Sequence, residues 1–311
     1  MAGDTQPCIL TDYVAIVGTS QDFGLGYSII SHRKQLARAA INNLSGLEQV
    51  ISGGMMASGN PNSGYRVIEE GIAQMERNTD FANKMMFAAQ AVRGLRVNSG
   101  GADYKTLIYF SSGYTSEQRL AIEAAGARHA SAGRTFAVSS SAQLIGLLNE
   151  SQFQNQPCER RVRRIDIYTH GVPEDLAFGW QGPQASQQTF TTAEVAQLDP
   201  DRFQLPGRES QIYSWACQTS TTRSGGVGGL APAIANHTGA TVHAYARRTD
   251  YSLTWNTGSA TAQDAGLTEI VSSDSRVLWH PDGAMRGVVE GSSPEENPSG
   301  RFVFRPVDEG G

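Results

Sequence analysis

Short apolar segments alternate with segments of helical periodicity from about residue 104 onward, and this alternation constrains the fold more than any other feature of the chain. The apolar segments are nearly continuous, which is typical of strands buried on both faces of a parallel sheet. They lie at 105–111, 134–138, 164–169, 211–216 and 241–246. The alternation predicts an α/β domain with a mostly parallel sheet flanked by helices.

Several of the predicted helices carry recognisable end signals. Thr115 precedes a segment with apolar residues at helical spacing and is a suitable N-cap. A run of three serines, 139–141, precedes a second such segment. Gly239 follows a third, over 230–237, in the position where a left-handed glycine commonly ends a helix. These signals predict helices between successive strands of the sheet.

The first hundred residues have a different pattern. A strand is predicted at 14–17, but the other periodic segments are helical, at 33–44, 65–77 and 81–96. We therefore predict a mainly helical N-terminal region, 1–102, followed by the α/β domain, 103–311. The end of that domain is expected to form C-terminal β-hairpins, with strands at 276–279, 287–289 and 301–305 and a turn at 281–283 between the first two.

The charge balance excludes some classes of partner. The 311 residues carry a formal net charge of −5, so there is no general electrostatic attraction to nucleic acid or to an anionic membrane, and neither is predicted as a partner. No apolar stretch approaches the roughly 18 residues of a membrane span. The N-terminus lacks the basic region of a Sec signal peptide. We expect a cytoplasmic protein, or one exported by a non-Sec secretion system.

The cysteines and histidines show no pattern of a stabilising cross-link or a metal site. Cys8, Cys158 and Cys217 cannot make a closed disulfide framework, and none lies in a CxxC pair. We therefore expect free thiols and a reducing compartment. The histidines have no metal-ligand spacing with cysteine or with one another, so neither a metal nor another cofactor is predicted.

Two predicted strands end in residues that can carry chemistry, His170-Gly171 and Ala216-Cys217. Because the carboxyl ends of parallel strands meet at one edge of a sheet, the imidazole and the thiol meet if the strands are neighbours. An imidazole can take the proton of an attacking thiol and later donate it to a leaving amine. The backbone N–H groups of Gly171 and Cys217 are suited to hold an oxyanion. The pattern predicts a His/Cys dyad that cleaves an amide through an acyl-enzyme.

The order and spacing of these strand ends resemble those of the caspase-like cysteine peptidases of clan CD, which have bacterial members. The caspase nucleophile motif reads Gln-Ala-Cys, and here the chain has Trp215-Ala216-Cys217, so the Ala-Cys core matches and the flanks differ. The 47 residues from position 170 to position 217 are close to the caspase separation of about 50. The resemblance covers about 104–246. It implies a caspase-hemoglobinase fold and an endopeptidase acting on proteins or peptides.

The resemblance also implies where the substrate binds. By position, Trp215 and the segment after the next strand would form the first specificity pocket. Arg247 or Arg248 would bind an acidic substrate side chain and Asp250 a basic one, and both choices stay open. Asp175 is a candidate to orient the imidazole of His170. By analogy with bacterial members of the clan, the chain would be a toxin, effector or defence protease with a neutralising (immunity-type) or activating protein partner.

Two other readings of the same residues remain. The dyad does not dictate the acyl acceptor, so a related thiol hydrolase or transpeptidase acting on a non-protein amide is one alternative. A non-catalytic scaffold is the other, with Cys217 as a buried small hydrophobe and His170 as a structural histidine. Separately, four arginines at 160–164 precede a predicted strand, where they form a solvated strand entrance, an anion site or a processing site.

Overall fold

A seven-stranded sheet is the centre of the molecule. The computed structural model describes residues 8–20, 85–180, 184–247, 249, 251, 268–272, 275–284, 287–288 and 301–307. The strands of the sheet are β1 (Ile9–Val17), β2 (Tyr104–Phe110), β3 (Thr135–Val138), β4 (Glu159–Tyr168), β5 (Gln211–Ser214), β6 (Thr241–Tyr245) and β7 (Arg301–Phe304). Their order is β3-β2-β1-β4-β5-β6-β7, and only β7 is antiparallel to its neighbour. The prediction of an α/β fold with a mostly parallel sheet is confirmed.

Helices flank this sheet. Among the described residues they are α1 (85–97), α2 (Ser116–His129), α3 (Ser141–Leu148), α4 (Thr192–Val195) and α5 (Leu230–Thr238), with short 3-10 turns at Ser111–Gly113, Ala185–Gln188 and Pro200–Phe203. Thr115 caps α2 through a reciprocal pair of hydrogen bonds with Gln118, and Ser140 caps α3. Gly239 ends α5 with a φ of 71°. The predicted end signals of these helices are confirmed. No described helix is long and apolar enough to cross a bilayer.

The alternation of side chains along the strands creates two apolar cores. On one face, strand residues such as Ile165 pack with Leu144 of α3 and Ile234 of α5. On the other face, Tyr109 packs with Phe87 of α1 and Ile122 of α2. Burying each such side chain contributes about 1.5–3 kcal/mol, so both faces hold helices against the sheet.

The described residues of 1–102 share this sheet. β1 lies between β2 and β4 and pairs with both, at the centre of the sheet. The described part of α1 overlaps the helix predicted over 81–96 and packs on the same sheet. The helices predicted at 33–44 and 65–77 lie outside the described residues.

The C-terminal part differs from the prediction. Ser275–Trp279 pairs with Thr268–Ser272, whereas residues 287–288 are not a strand, so the hairpin predicted between 276–279 and 287–289 is wrong. The turn at 281–283 leads instead to α1, because Ala284 N–H donates to the carbonyl of Ala89 at 2.8 Å. β7 extends the central sheet beside β6.

Three further small sheets form outside the central sheet in the described part of the chain, two of them antiparallel and one parallel. His170–Val172, Asp175–Ala177 and Thr189–Phe190 form a three-stranded sheet directly after β4. Gln204–Leu205 pairs with Arg208–Glu209, while Thr19–Ser20 and Gly179–Trp180 pair in parallel. The small sheet directly after β4 therefore lies at the carboxyl edge of the central sheet, whereas the segment 200–210 lies at the amino edge, where Arg202 donates to the carbonyl of Arg160.

A disulfide joins Cys8 and Cys158, so the prediction that these thiols are free is wrong. The two residues directly precede β1 and β4, and the pairing of those strands brings Cα atoms that are 150 residues apart in sequence to 4.7 Å. Spacing alone does not reveal such a pair, because nothing local connects the two positions. Cys217 is the free thiol.

Candidate active site

His170 lies just beyond β4, where the chain turns into the small antiparallel sheet. Its side chain is 6% exposed. The edge of the Phe87 ring meets the imidazole at a centroid distance of 5.0 Å, so α1 covers this residue. Burial lowers the pKa of His170 to about 4, because the charged imidazolium loses its hydration. The imidazole is therefore neutral at pH 7.

Cys217 lies just beyond β5, which is the neighbour of β4 in the sheet. The pairing continues past β5, since Trp215 N–H donates to the carbonyl of Ile167 at 2.9 Å. The Cys217 side chain is 8% exposed. Its sulfur accepts the N–H of Thr249 at 3.4 Å and lies 3.6 Å from the Thr249 hydroxyl. The thiol is thus enclosed by the segment that follows β6.

The segments that carry the imidazole and the thiol are in direct contact. A Cβ placed on Gly171 would overlap the carbonyl oxygen of Cys217 and lie 2.9 Å from the Cβ of Ala216. Only glycine allows this approach. β4 and β5 are neighbours, as the prediction requires, and the segments that follow them touch at Gly171. That the imidazole and the thiol meet stays a prediction.

The residue after the thiol is held in an uncommon backbone conformation. Gln218 has a φ of 55°, in the left-handed region that non-glycine residues rarely adopt. Its N–H donates to the carbonyl of Arg247 at 3.1 Å, and Ser220 N–H donates to the carbonyl of Tyr245 at the same distance. These bonds tie the turn to the end of β6. Such strained turns cluster at functional sites.

Aromatic side chains cover His170 and Cys217. Phe87 meets Tyr251 edge-to-face at 4.9 Å, and the Tyr251 hydroxyl donates to the carbonyl of Trp215 at 3.0 Å. Burial raises the pKa of Tyr251, so this hydroxyl stays protonated and remains a donor. Tyr251 belongs to the segment after β6 that was predicted to form the substrate pocket. Phe87 is not recognisable from the sequence, because an apolar residue that covers a site has the same local pattern as one in the core.

The predicted substrate-binding residues are described only in part. The Trp215 indole stacks between Tyr168 and Tyr213, with centroid distances of 6.3 and 6.0 Å. Arg247 lies beside the Cys217 turn, where its carbonyl accepts the N–H of Gln218. Arg248 and Asp250 lie outside the described residues. The choice between an acidic and a basic substrate side chain therefore stays a prediction.

The structure also describes the surroundings of Gly171 and Asp175, two residues with predicted roles at the site. Gly171, a predicted oxyanion donor, lies opposite Leu176 in the small antiparallel sheet. The Asp175 carboxylate lies 3.5 Å from the guanidinium of Arg223, in the loop after the Cys217 turn, and this contact holds it toward that loop. Among the described residues, no group of His, Cys, Asp and Glu side chains could hold a metal ion.

Comparison with known proteins yields no relative for this chain. No protein-family model matches it, and neither the curated proteins nor the solved structures contain a significant match.

Proposed function

We propose that the chain is a caspase-like cysteine endopeptidase in which Cys217 is the nucleophile and His170 the general acid and base. The observation that carries the proposal is the contact between Gly171 and the carbonyl of Cys217, where the adjacent parallel strands β4 and β5 end. This contact joins the histidine segment to the cysteine segment at the edge where parallel sheets carry their reactive groups. The order and spacing of the two residues add support.

In the proposed reaction, the sulfur of Cys217 attacks the scissile carbonyl carbon while neutral His170 takes the thiol proton. The C–N bond then breaks, and His170 delivers that proton to the leaving amine. Water attacks the thioester, which releases the acid and regenerates the thiol. The N–H groups of Gly171 and Cys217 would stabilise the charge on the carbonyl oxygen. Trp215, Arg247, Arg248 and Asp250 remain the proposed contacts of the substrate side chain.

The described form is proposed to be a closed one. Both dyad side chains are more than nine-tenths buried, and Phe87 and Tyr251 cover them. A substrate carbonyl reaches the sulfur only after α1 or the segment around Tyr251 moves. Opening would also return water to His170 and raise its pKa toward the range that suits a general base at neutral pH. An activating protein partner would supply the energy of opening, and a neutralising partner would keep the site closed.

Proteome-wide mapping of new N-termini in a cell lysate tests the proposal. Wild-type protein and Cys217→Ala are compared, with Phe87→Ala added to each background to open the site. We expect Cys217→Ala to lower cleavage at least about 1,000-fold, because it removes the nucleophile. Cys217→Ser is the matched control for folding. A folded Cys217→Ala protein that cleaves as fast as the wild type contradicts the proposal.

The burial of the dyad also favours a second candidate, a non-catalytic scaffold. Because Cys8 and Cys158 are bonded to each other, iodoacetamide can alkylate only Cys217 in the oxidised protein. For a scaffold we expect alkylation slower than that of a free thiol in both the wild type and Phe87→Ala, together with no new N-termini. For a peptidase, the Cys217 thiol of Phe87→Ala should alkylate faster than a free thiol, because the imidazole of His170 takes its proton.

A further inference from the structure

An irregularity in β4 places two arginines on the same side of the sheet. Val162 pairs with Asp12 and Arg164 pairs with Tyr13, so Arg163 is an extra residue with no partner position on β1. In a regular strand, neighbouring side chains point to opposite faces. The bulge changes the direction of one side chain, and Arg163 and Arg164 both line one groove.

The groove lies between the sheet and the loop that follows α1. Its volume is about 580 Å³. Arg163, Arg164 and Arg208 line it from the strand side, and residues 98–100 line it from the loop side. The loop passes close to Arg163 at Gly101, whose φ of 73° favours glycine and where a Cβ would lie 2.7 Å from the guanidinium. The backbone thus leaves room for this side chain at the groove.

The other three arginines at 160–164 each form an ion pair with a carboxylate, which distinguishes them from Arg163. Arg160 is fully buried and pairs with Asp12, while Arg161 pairs with Glu159. Arg164 binds the Asp166 carboxylate at 3.0 Å. Within the described part of the chain, no carboxylate forms an ion pair with Arg163 or with Arg208.

A recess of about 260 Å³ adjoins the groove and shares Asn98 and Arg164 with it. It contains Arg93 of α1, which is half-buried and has no ion-pair partner among the described residues. The Nε of Arg93 is buried without a hydrogen-bond acceptor. A buried donor of this kind costs free energy until an acceptor binds. The groove and recess together hold three guanidinium groups without ion-pair partners.

One acidic side chain lines the groove. A second, buried carboxylate holds several of the residues that form its wall. Glu209 is the lining acid, and its carboxylate accepts the hydroxyl of Thr241. Asp166 accepts hydrogen bonds from the Tyr13 hydroxyl at 2.6 Å and the Asn98 amide at 2.8 Å, besides its pair with Arg164. These bonds fix the wall of the groove before any ligand binds, which lowers the entropic cost of binding.

We propose that this groove binds a small ligand carrying an oxyanion group, with Arg163 and Arg208 as its charge contacts and Arg93 as a contact for a second acceptor. Guanidinium groups bind phosphate and carboxylate oxygens through paired N–H donors, and several such groups favour a multiply charged anion. The groove is larger than a phosphate ion, so it suits a phosphorylated or carboxylated small molecule. Trp215, a proposed substrate contact of the peptidase, lines the recess, but the proposed anion contacts Arg163, Arg208 and Arg93 belong neither to the dyad nor to the proposed substrate contacts. A failure to bind the anion therefore leaves the peptidase proposal untouched.

Titration calorimetry with inorganic pyrophosphate at low salt tests the proposal on the full-length oxidised protein. Arg163→Gln and Arg208→Gln remove one charge contact each and are compared with Arg119→Gln on α2, a matched change outside the groove. We expect Arg163→Gln and Arg208→Gln each to weaken binding by about 10-fold or more and Arg119→Gln to leave it unchanged. The same titration with glutarate tests a carboxylate ligand. Whichever of pyrophosphate and glutarate binds with the lower Kd identifies the class of oxyanion.

A second measurement on the wild-type protein removes any dependence on variant folding. Phenylglyoxal modifies accessible guanidinium groups, and mass spectrometry locates the adducts. Pyrophosphate should protect Arg163 and Arg208 but not Arg119. The proposal is overturned if neither probe binds at about 10 mM, or if Arg163→Gln binds as tightly as Arg119→Gln. Equal protection of all three arginines has the same consequence.

Discussion

The two ends of β4 are built in opposite ways. Before its first residue, Cys158 is bonded to Cys8, and near its start the buried charge of Arg160 faces Asp12 at 2.8 Å. Beyond its last residue lies His170, buried with a pKa of about 4, next to the turn in which Gln218 has a left-handed backbone. At the amino end the buried charges are paired. At the carboxyl end burial keeps the imidazole of His170 neutral. The difference indicates that the amino edge of the sheet provides stability, whereas the carboxyl edge carries strain suited to function.

Removing the buried carboxylate at the amino edge has the largest expected effect on stability. Asp12 is fully buried and accepts hydrogen bonds from Arg160 and Thr106. Asp12→Ala leaves the Arg160 charge buried without its partner, so we expect the free energy of unfolding to fall by about 3–5 kcal/mol. Urea denaturation measures the free energy of unfolding. The control is Glu159→Ala, which breaks a half-exposed pair and is expected to cost at most about 1 kcal/mol. Equal losses would contradict the contrast between buried and exposed pairs.

Breaking the disulfide should have the next largest effect. It closes a long loop, since its cysteines are 150 residues apart. Cys8→Ser is expected to lower the free energy of unfolding by about 2–4 kcal/mol, because the unfolded chain gains entropy. A reductant should lower the stability of the wild type by the same amount and leave Cys8→Ser unchanged. If Cys8→Ser and the oxidised wild type have the same urea midpoint, the disulfide does not stabilise the amino edge.

The carboxyl edge should become unstable in acid. Above pH 6.5, His170 is neutral in both the folded and the unfolded chain. As the pH falls from about 6.5 to about 4, the unfolded chain binds a proton that the folded chain does not. The free energy of unfolding should therefore fall by up to about 3 kcal/mol over this range. His170→Gln should remove this component, whereas His237→Gln should keep it. An unchanged acid profile for His170→Gln would show that the imidazole is not held in its neutral form by burial.

The smallest expected effect concerns the turn after the thiol. Gln218→Gly relieves the left-handed strain and should raise the free energy of unfolding by about 0.5–1 kcal/mol. Asn155→Gly, at a φ of 61°, is the matched change, and its gain should be smaller because asparagine tolerates this region better. Thermal unfolding compares the two. A loss of stability in Gln218→Gly would mean that the Gln218 side chain outweighs the backbone strain.

Local signals predicted the fold well where they involved residues close in sequence. The Thr115 cap of α2 and the Gly239 end of α5 depend on contacts within one helical turn, and both are as predicted. The hairpin predicted across the turn at 281–283 does not form, because a turn signal does not say which segment the chain then meets. In the molecule, that turn leads to the backbone of α1.

The sequence identifies the two candidate residues of the site but only part of their surroundings. His170 and Cys217 are recognisable because each directly follows an apolar strand, which is a local pattern. Their enclosure depends on Phe87, from a segment before β2, and on Thr249 and Tyr251, from a segment after β6. The resemblance assigns the segment after β6 to the substrate pocket, but no local pattern identifies Phe87, since its contact with His170 arises only when distant segments pack together.

The sequence by itself determined the alternation of strands and helices, the ends of several helices and the residues that follow each strand, because neighbours along the chain decide all of these. Only the tertiary structure decided that Cys8 joins Cys158, that Asp12 neutralises Arg160 and that a bulge exposes Arg163 to a groove. Each of these depends on which strands lie side by side and in what register. The physical reason is that pairing between distant strands sets the partner of every buried charge and thiol, while local periodicity sets only the face on which each side chain lies.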